Sequence, residues 1–255
     1  MAKTKIDFNS DVGESFGQYK LGLDEDIVKY VSSANIACGF HAGDPMWMHK
    51  TVRIAEKNGV GIGAHPSYPD LRGFGRRNMN IEPDEVKNDV IYQIGALTGF
   101  TINKKLQHVK PHGAMYNNAV NDEKLAEAIC SAIIAVDTEL ILLAMSGSLW
   151  VSIAKDMGLR VAQEVFADRE INSDGTLVSR SINGSVIHDP ELIVERSLKM
   201  VKDGYITSIT GEDVPVDADS ICMHGDTPGS VNIAKEVKGA LETAGVNIVP
   251  LSKLV

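Results

Sequence analysis

The sequence predicts an α/β fold, a distorted TIM-like (β/α) barrel, on three observations. Short β-favouring runs alternate with segments of helical periodicity along all 255 residues, the pattern of βα units around a parallel sheet. About eight units in this length match the roughly 30 residues per unit of a (β/α)₈ barrel. Strand after strand also ends in polar or titratable residues. A barrel gathers those ends on one rim, whereas a doubly wound open sheet, which has the same alternation, spreads them along an edge. Residues 1–255 are therefore read as one barrel domain.

The first strand, Lys5–Asn9, leads to Asn9 and Asp11 and then to a helix over Asp24–Val31. Strand Ser33–Ala37 runs through Cys38 and His41 to helix Met46–Asn58, whose start is marked by Asp44-Pro45, a capping carboxylate before proline at the first helical position. Strand Val60–Ala64 ends at His65, and helix Pro83–Gly99 follows. The connection between them, Pro66–Glu82, is too long for a simple loop and reads as a functional lid. Strand Gln107–Lys110 ends in Lys110 and His112, ahead of helix Glu123–Val136. Strand Leu140–Met145 precedes helix Ser148–Met157. Strand Arg160–Val165 runs into Glu164 to Arg169 and a second long connection, Phe166–Pro190. There the turn Asn172-Ser-Asp-Gly predicts a small hairpin on the rim. Asp189-Pro190 opens helix Glu191–Asp203. Strand Ser220–His224 ends in His224 and Asp226, Thr227-Pro228 marks the start of helix Ser230–Thr243, and Asn247–Leu251 is the eighth strand candidate.

Composition narrows the function. Lys and Arg number 25 against 34 Asp and Glu, a net charge of −9, which disfavours nucleic-acid binding through neutralised phosphates. At 44% hydrophobic residues a chain this long buries about 70% of its unfolded surface and needs no disulfides. Cys38, Cys130 and Cys222 are scattered, odd in number and without a CxxC pair, which favours a reducing compartment. The N-terminus lacks the apolar stretch of a signal peptide, and no window approaches the ~18 apolar residues of a membrane span. A cytoplasmic protein acting on small molecules, with no nucleic-acid or membrane partner, is expected.

The reactive residues fall in clusters. Asp7, Asn9 and Asp11 alternate along the first strand and so share a face. Asp11 is the lead inward carboxylate, Asp7 and Glu14 are weaker candidates, and the bland alternative is a solvated acidic turn. Asp44 reads as a helix cap, whereas His41 sits in a Gly-rich turn where a backbone can approach a ligand. Asp11, His41 and His65, on three neighbouring strand ends, would make a His₂-carboxylate set suited to a divalent metal, although no H-E-x-x-H spacing supports it. Lys110 offers a cation for a carboxylate, phosphate or oxyanion, and His112, two residues on, can exchange protons. Glu164, Asp168, Arg169 and Arg180 combine carboxylates with guanidinium groups, with a rim salt bridge as the bland alternative, which for Arg180 stands level with function. The sequence contains no G-x-x-x-x-G-K-[ST] phosphate loop, no G-x-G-x-x-G after a strand and no G-x-S-x-G elbow. Any nucleotide must be held by another kind of site or by a partner chain.

In this order the clusters resemble the LamB/YcsF family. The matching pieces are Asp7-Phe-Asn-Ser-Asp-Val-Gly-Glu, Ala34-Asn-Ile-Ala-Cys-Gly-Phe-His-Ala-Gly-Asp-Pro, Gly63-Ala-His-Pro-Ser-Tyr-Pro-Asp, Arg72-Gly-Phe-Gly-Arg, Val109-Lys-Pro-His-Gly-Ala-Met-Tyr, Glu164-Val-Phe-Ala-Asp-Arg and Cys222-Met-His-Gly-Asp. The resemblance implies a barrel related to the glycoside hydrolase and deacetylase barrels. It also implies hydrolysis of 5-oxo-L-proline to L-glutamate coupled to ATP hydrolysis, as component A of a 5-oxoprolinase with two further subunits, B and C. On that reading the candidate catalytic residues are Asp11, His41, His65, Lys110, His112, Glu164 and His224, with Asp11 or a neighbouring histidine as base. Asn9, Asn35, Arg72, Arg76, Asp168, Arg169 and Asp226 are the substrate-binding candidates. Mg-ATP is the implied cofactor, and a divalent metal remains open. Two rivals stand beside it: a metal-dependent deacetylase or amidohydrolase acting alone, and a non-catalytic subunit that presents substrate to its partners.

Overall fold

The computed structural model describes residues 3–225 and 229–255. In chain order the elements are β1 (Lys5–Val12), α1 (Asp24–Ile27), β2 (Ser33–Ala37), α2 (Pro45–Lys57), β3 (Gly61–His65), α3 (Pro83–Thr98), β4 (His108–Val109), α4 (Gly113–Ala119), α5 (Glu123–Val136), β5 (Ile141–Met145) and α6 (Leu149–Asp156). They continue with β6 (Arg160–Phe166), α7 (Pro190–Leu198), β7 (Tyr205–Thr207), β8 (Asp213–Pro215), β9 (Ser220–Cys222), α8 (Ser230–Thr243) and β10 (Asn247–Ile248). Strands β1 to β6 and β9 pair in parallel, and β9 returns to β1, with Asp7 opposite Ser220 and Asn9 opposite Cys222. The sheet is thus a closed TIM-like barrel.

Among the described residues seven strands close it, where the alternation suggests about eight. The Asn247–Leu251 segment supplies only β10, which pairs with Lys5 and Ile6. Val249 N–H donates to the Ile6 carbonyl and Ser32 N–H to the Phe8 carbonyl. Both neighbours therefore use the same edge of β1, and β10 ends where β2 begins. The opposite edge is taken by β9, so no full eighth strand can enter.

Side-chain alternation along β1 gives the barrel two faces. Ile6, Phe8 and Val12 join the apolar core against the helices, while Asp7, Asn9 and Asp11 enter a polar interior built in layers. At the bottom, the Ser32, Ser33 and Ser220 hydroxyls donate to Asp7. In the middle, Asn9 donates to Glu164 (3.0 Å) and Asn35 to Asn9 (2.7 Å). At the top lies Asp11.

The helix starts follow their capping residues. Asp44 accepts from Met46 and Trp47 N–H ahead of α2 and from Gly17 N–H in the loop after β1. Asp189 accepts from Glu191 N–H ahead of α7. Helix α7 continues into a π-helical turn, Lys199–Asp203, which Gly204 ends in the left-handed region (φ 74°). Asn172 does turn an antiparallel excursion, with bridges Ile171–Leu177 and Arg169–Val186. Helix α4 and the β7–β8 hairpin have no counterpart in the sequence reading. Gly113-Ala-Met-Tyr-Asn-Asn-Ala contains weak helix formers, and α4 is fixed instead by burial of Met115, Tyr116 and Ala119. Helix α1 stops at Ile27, short of Val31. Among the described residues no helix is long and apolar enough to cross a membrane.

Candidate active site at the barrel mouth

Residues from β1, β6 and β9 meet around one ammonium group at the end of β4. Lys110, just after β4, is 2% exposed. Its Nζ lies 3.0 Å from Asp11 Oδ1, 2.9 Å from Glu164 Oε1 and 3.1 Å from Cys222 Sγ. Burial alone would lower the lysine pKa, but Asp11, Cys222 and Glu164 outweigh it and hold the value well above the ordinary one. Burial would likewise raise the Asp11 pKa. The His65 ring and the Lys110 ammonium reverse that and keep Asp11 well below the usual carboxylate range. The site therefore carries a buried, ionised carboxylate at neutral pH. Asp7, deeper in the barrel, is pushed up to about 6 by burial.

The remaining Asp11 contacts are selective. Oδ1 also accepts from Asn35 Nδ2 at 2.8 Å, whereas Oδ2 lies 3.3 Å from His65 Nε2 and 3.9 Å from His224 Nε2. Asp168 lies 2.9 Å from His224 Nδ1 and also accepts the backbone N–H of His224. This orients the ring so that Nε2 faces Asp11. The Asp168 pKa, which burial would raise, is lowered on balance by His224. Tyr116, on α4, donates to Glu164 Oε2 at 2.8 Å and fixes that carboxylate from the other side.

Three imidazoles crowd the adjacent rim. His65 Nδ1 is 2.6 Å from the Lys110 carbonyl, and His112 Nε2 is 2.9 Å from the Phe74 carbonyl. Carbonyls only accept, so both nitrogens are assigned as donors. His65 Nε2 and His112 Nδ1 then face each other at 3.0 Å. His41 stacks on His112, with ring centroids 3.8 Å apart and planes 5° apart, and its Nε2 is 3.3 Å from Glu14 Oε1. Burial first, and then the neighbouring rings, hold the His41 and His112 pKa values well below ordinary. The loop after β3 makes this packing possible. A Cβ on Gly75 (φ +63°) would lie 2.8 Å from His41 Cβ and 2.9 Å from His112 Cδ2.

The side chains that converge closely enough to hold a metal ion are not the Asp11, His41 and His65 set expected from the strand ends. Ligand atoms of Glu14, His41, His65 and His112 lie within 4.8 Å of one another, whereas Asp11 groups with Cys222 and His224. Glu14 supplies the carboxylate because the turn after β1 carries it back over His41, a contact across 27 residues.

A cleft of about 480 Å³ opens above this floor. Asp11, His65, Lys110, His112 and His224 line it, with Arg76, Arg169 and Arg180 on its walls and Met145, Phe166 and Leu177 on its apolar side. That size is within the range of small-molecule sites. Glu164, Asn9 and Asn35 lie beneath the floor, and His41 and Asp168 stand behind lining residues. Arg72 is exposed and outside the cleft lining. Arg169 spends its hydrogen bonds on its own loop, donating to the Val178 and Ser185 carbonyls, and burial lowers its pKa to about 10. It shapes the excursion that carries Arg180 to the cleft. Asp226 and the Thr227-Pro228 helix start lie outside the described residues.

Tyr116 and Glu14 were the participants hardest to find from sequence. Tyr116 belongs to an unpredicted helix, and Glu14 reads as one acid among several in a turn. His108 joins from within β4, where its Nε2 meets Asn35 Oδ1 at 2.6 Å and burial lowers its pKa to about 3.

Known proteins bear the same architecture. The LamB/YcsF family model matches residues 6–255. Relatives named as the A component of 5-oxoprolinase, from Thermococcus onnurineus and Clostridium beijerinckii, are each 55% identical, over 253 and 252 residues, covering 98% of this chain and 99% of theirs. The crystal structure of a lactam utilization protein from Thermus thermophilus has a TM-score of 0.90 and 45% identity, covering 96% of this chain and 99% of that one. A T48 deacetylase solved with substrate has a TM-score of 0.52 at 16% identity, covering 99% of this chain and 90% of its own, a likeness of fold alone. Matched over nearly its whole length by the family model and by these relatives, the chain belongs to the LamB/YcsF family.

Proposed function

We propose that this chain is component A of a cytoplasmic ATP-dependent 5-oxoprolinase, opening the ring of 5-oxo-L-proline to L-glutamate in concert with subunits B and C. The observation that carries the reading is the full-length likeness to proteins of that name. The cleft is chemically suited to it. An unstrained five-membered lactam is a poor electrophile, and phosphorylation of its carbonyl oxygen by ATP opens the ring carbon to water. The sequence has no phosphate loop of the G-x-x-x-x-G-K-[ST] kind, so ATP is held by another kind of site on this chain or by a partner subunit.

In this reading Asp11 takes a proton from the attacking water as the new C–O bond forms. The ring C–N bond then breaks, the departing nitrogen takes a proton from His224, which Asp168 orients, and the resulting 5-glutamyl phosphate is hydrolysed by a second water to L-glutamate and inorganic phosphate. Lys110 Nζ counters the negative charge carried by the exocyclic lactam oxygen and its phosphoryl group. One well-aimed donor contributes roughly 3–4 kcal/mol to such a step. Arg76 and Arg180 on the cleft wall receive the substrate carboxylate or the phosphoryl group.

A carboxylate anchor makes a sharp demand on substrate. In the three-subunit mixture, 2-pyrrolidone, the same ring without its carboxylate, is expected to show kcat/KM about 10²-fold or more below that of 5-oxo-L-proline. Equal turnover of the two, or turnover of neither, would contradict the reading. A second reading, a metal-dependent amidohydrolase acting alone, is favoured by the Glu14, His41, His65 and His112 cluster. It requires activity without partners or ATP.

A further inference from the structure

We propose that His65 Nε2, His112 Nδ1 and Glu14 Oε1 form a three-ligand site for a divalent first-row transition metal of the zinc type, with open positions facing the cleft. Each ring donates its other N–H to a backbone carbonyl, His65 to Lys110 at 2.6 Å and His112 to Phe74 at 2.9 Å. That leaves His65 Nε2 and His112 Nδ1 turned on one another across 3.0 Å, with Asp11 Oδ2 3.3 Å from His65 Nε2, an arrangement that calls for a cation, metal ion or proton, among them. A shared proton would need only these two atoms. A third donor converges as well: Glu14 Oε1 lies 3.6 Å from His112 Nδ1, and all these ligand atoms fall within 4.8 Å of one another.

The separations fit an ion. Ligands about 2.0–2.1 Å from a tetrahedral centre stand roughly 3.3–3.4 Å apart, close to the 3.0 and 3.6 Å observed. Carbonyl acceptors on the far ring nitrogens are the usual outer support of metal-bound histidine. Two imidazoles and one carboxylate suit zinc, iron or cobalt better than magnesium or calcium, which prefer oxygen. His41 acts from behind. Its ring is parallel to that of His112, so its nitrogen cannot aim at the same ion without turning, and its Nε2 instead meets Glu14 Oε1 at 3.3 Å. His65 and His112 both line the cleft, so an ion here would be a Lewis acid within reach of a bound amide.

The test reads metal, with no lactam, ATP or partner subunit present, so its failure is separate from failure of the 5-oxoprolinase reading. Metal-stripped wild-type protein is titrated with Zn²⁺ against a chromophoric chelator, and with Co²⁺ by visible absorption. One equivalent is expected to bind. His65→Ala and His112→Ala, shown folded by circular dichroism, are expected to lose it. His41→Ala should weaken binding by about 10–100-fold, the cost of removing an outer-shell partner. Glu14→Gln, a near-isosteric change at the lip, provides a variant that keeps the fold should a histidine variant fail to do so, and it too is expected to lose affinity. Cys222→Ser should retain one equivalent, which separates this site from the Asp11, Cys222 and His224 group. No stoichiometric binding by the folded wild type would overturn the proposal in favour of a shared proton. Unchanged binding in the His65, His112 and Glu14 variants, or loss in Cys222→Ser alone, would overturn it equally.

Discussion

Replacing Lys110 with methionine is expected to destabilise the folded chain by about 3–5 kcal/mol at neutral pH, the scale for removing one partner from a buried ion pair. The ammonium is the cation that Asp11 and Glu164 share at 3.0 and 2.9 Å, and methionine keeps its bulk while leaving two carboxylates facing each other in the barrel. The pH dependence has a definite sign. In the wild type the Asp11 pKa is depressed below its unfolded value. Its contribution to stability is therefore present above the unfolded pKa, near 3.8, and is lost only as the pH falls through the lower folded value. Without Lys110 the carboxylates take up protons at higher pH, and the deficit of the variant should shrink between about pH 7 and pH 5. Urea unfolding of both proteins at those two pH values measures it. A variant as stable as wild type at pH 7, or a deficit that does not change with pH, would show that Lys110 does not hold this charge cluster together.

Asp11→Asn is expected to lower kcat for glutamate formation by about 10²–10⁴-fold, the usual contribution of a positioned general base, with a much smaller change in KM. Asparagine preserves the oxygen that accepts from Asn35 and Lys110 and removes the charge and basicity that Oδ2 presents toward His65 and His224. Lys110 retains Glu164 as a counter-ion, so the fold should survive. Steady-state kinetics in the three-subunit mixture, beside a thermal melt of the variant, separates the two effects. Near-full turnover would remove Asp11 from the role of base. A loss of turnover that tracks a loss of fold would make its role structural.

The barrel was legible in the sequence because its signals are local. Asp44-Pro45 and Asp189-Pro190 mark helix starts on their own, and strand-end residues such as Asp11, His65, Lys110 and His224 announce themselves by following β-favouring runs. Closure is a different kind of fact. Whether Asn247–Leu251 completes an eighth strand depends on which edge of β1 is already taken by β2 and β9, and no local pattern records that. The same limit applies at the site. Period-two alternation put Asp7, Asn9 and Asp11 on one face, yet it could not say that Asp11 would pair with Lys110 while Glu14 reached back to His41. Arg72 and Arg76 share one irregular loop, where periodicity gives no direction. Only Arg76 reaches the cleft lining. Arg169 looks like a substrate anchor by composition, and its backbone partners Val178 and Ser185 become visible only when the excursion is folded.

The most direct test of the central claim follows glutamate and ADP released from 5-oxo-L-proline and Mg-ATP by this chain alone, by subunits B and C alone, and by all three together. The account predicts coupled release of both products only in the full mixture. Absence of coupled turnover with correctly folded matching partners, or ring opening by this chain alone without ATP, would contradict it.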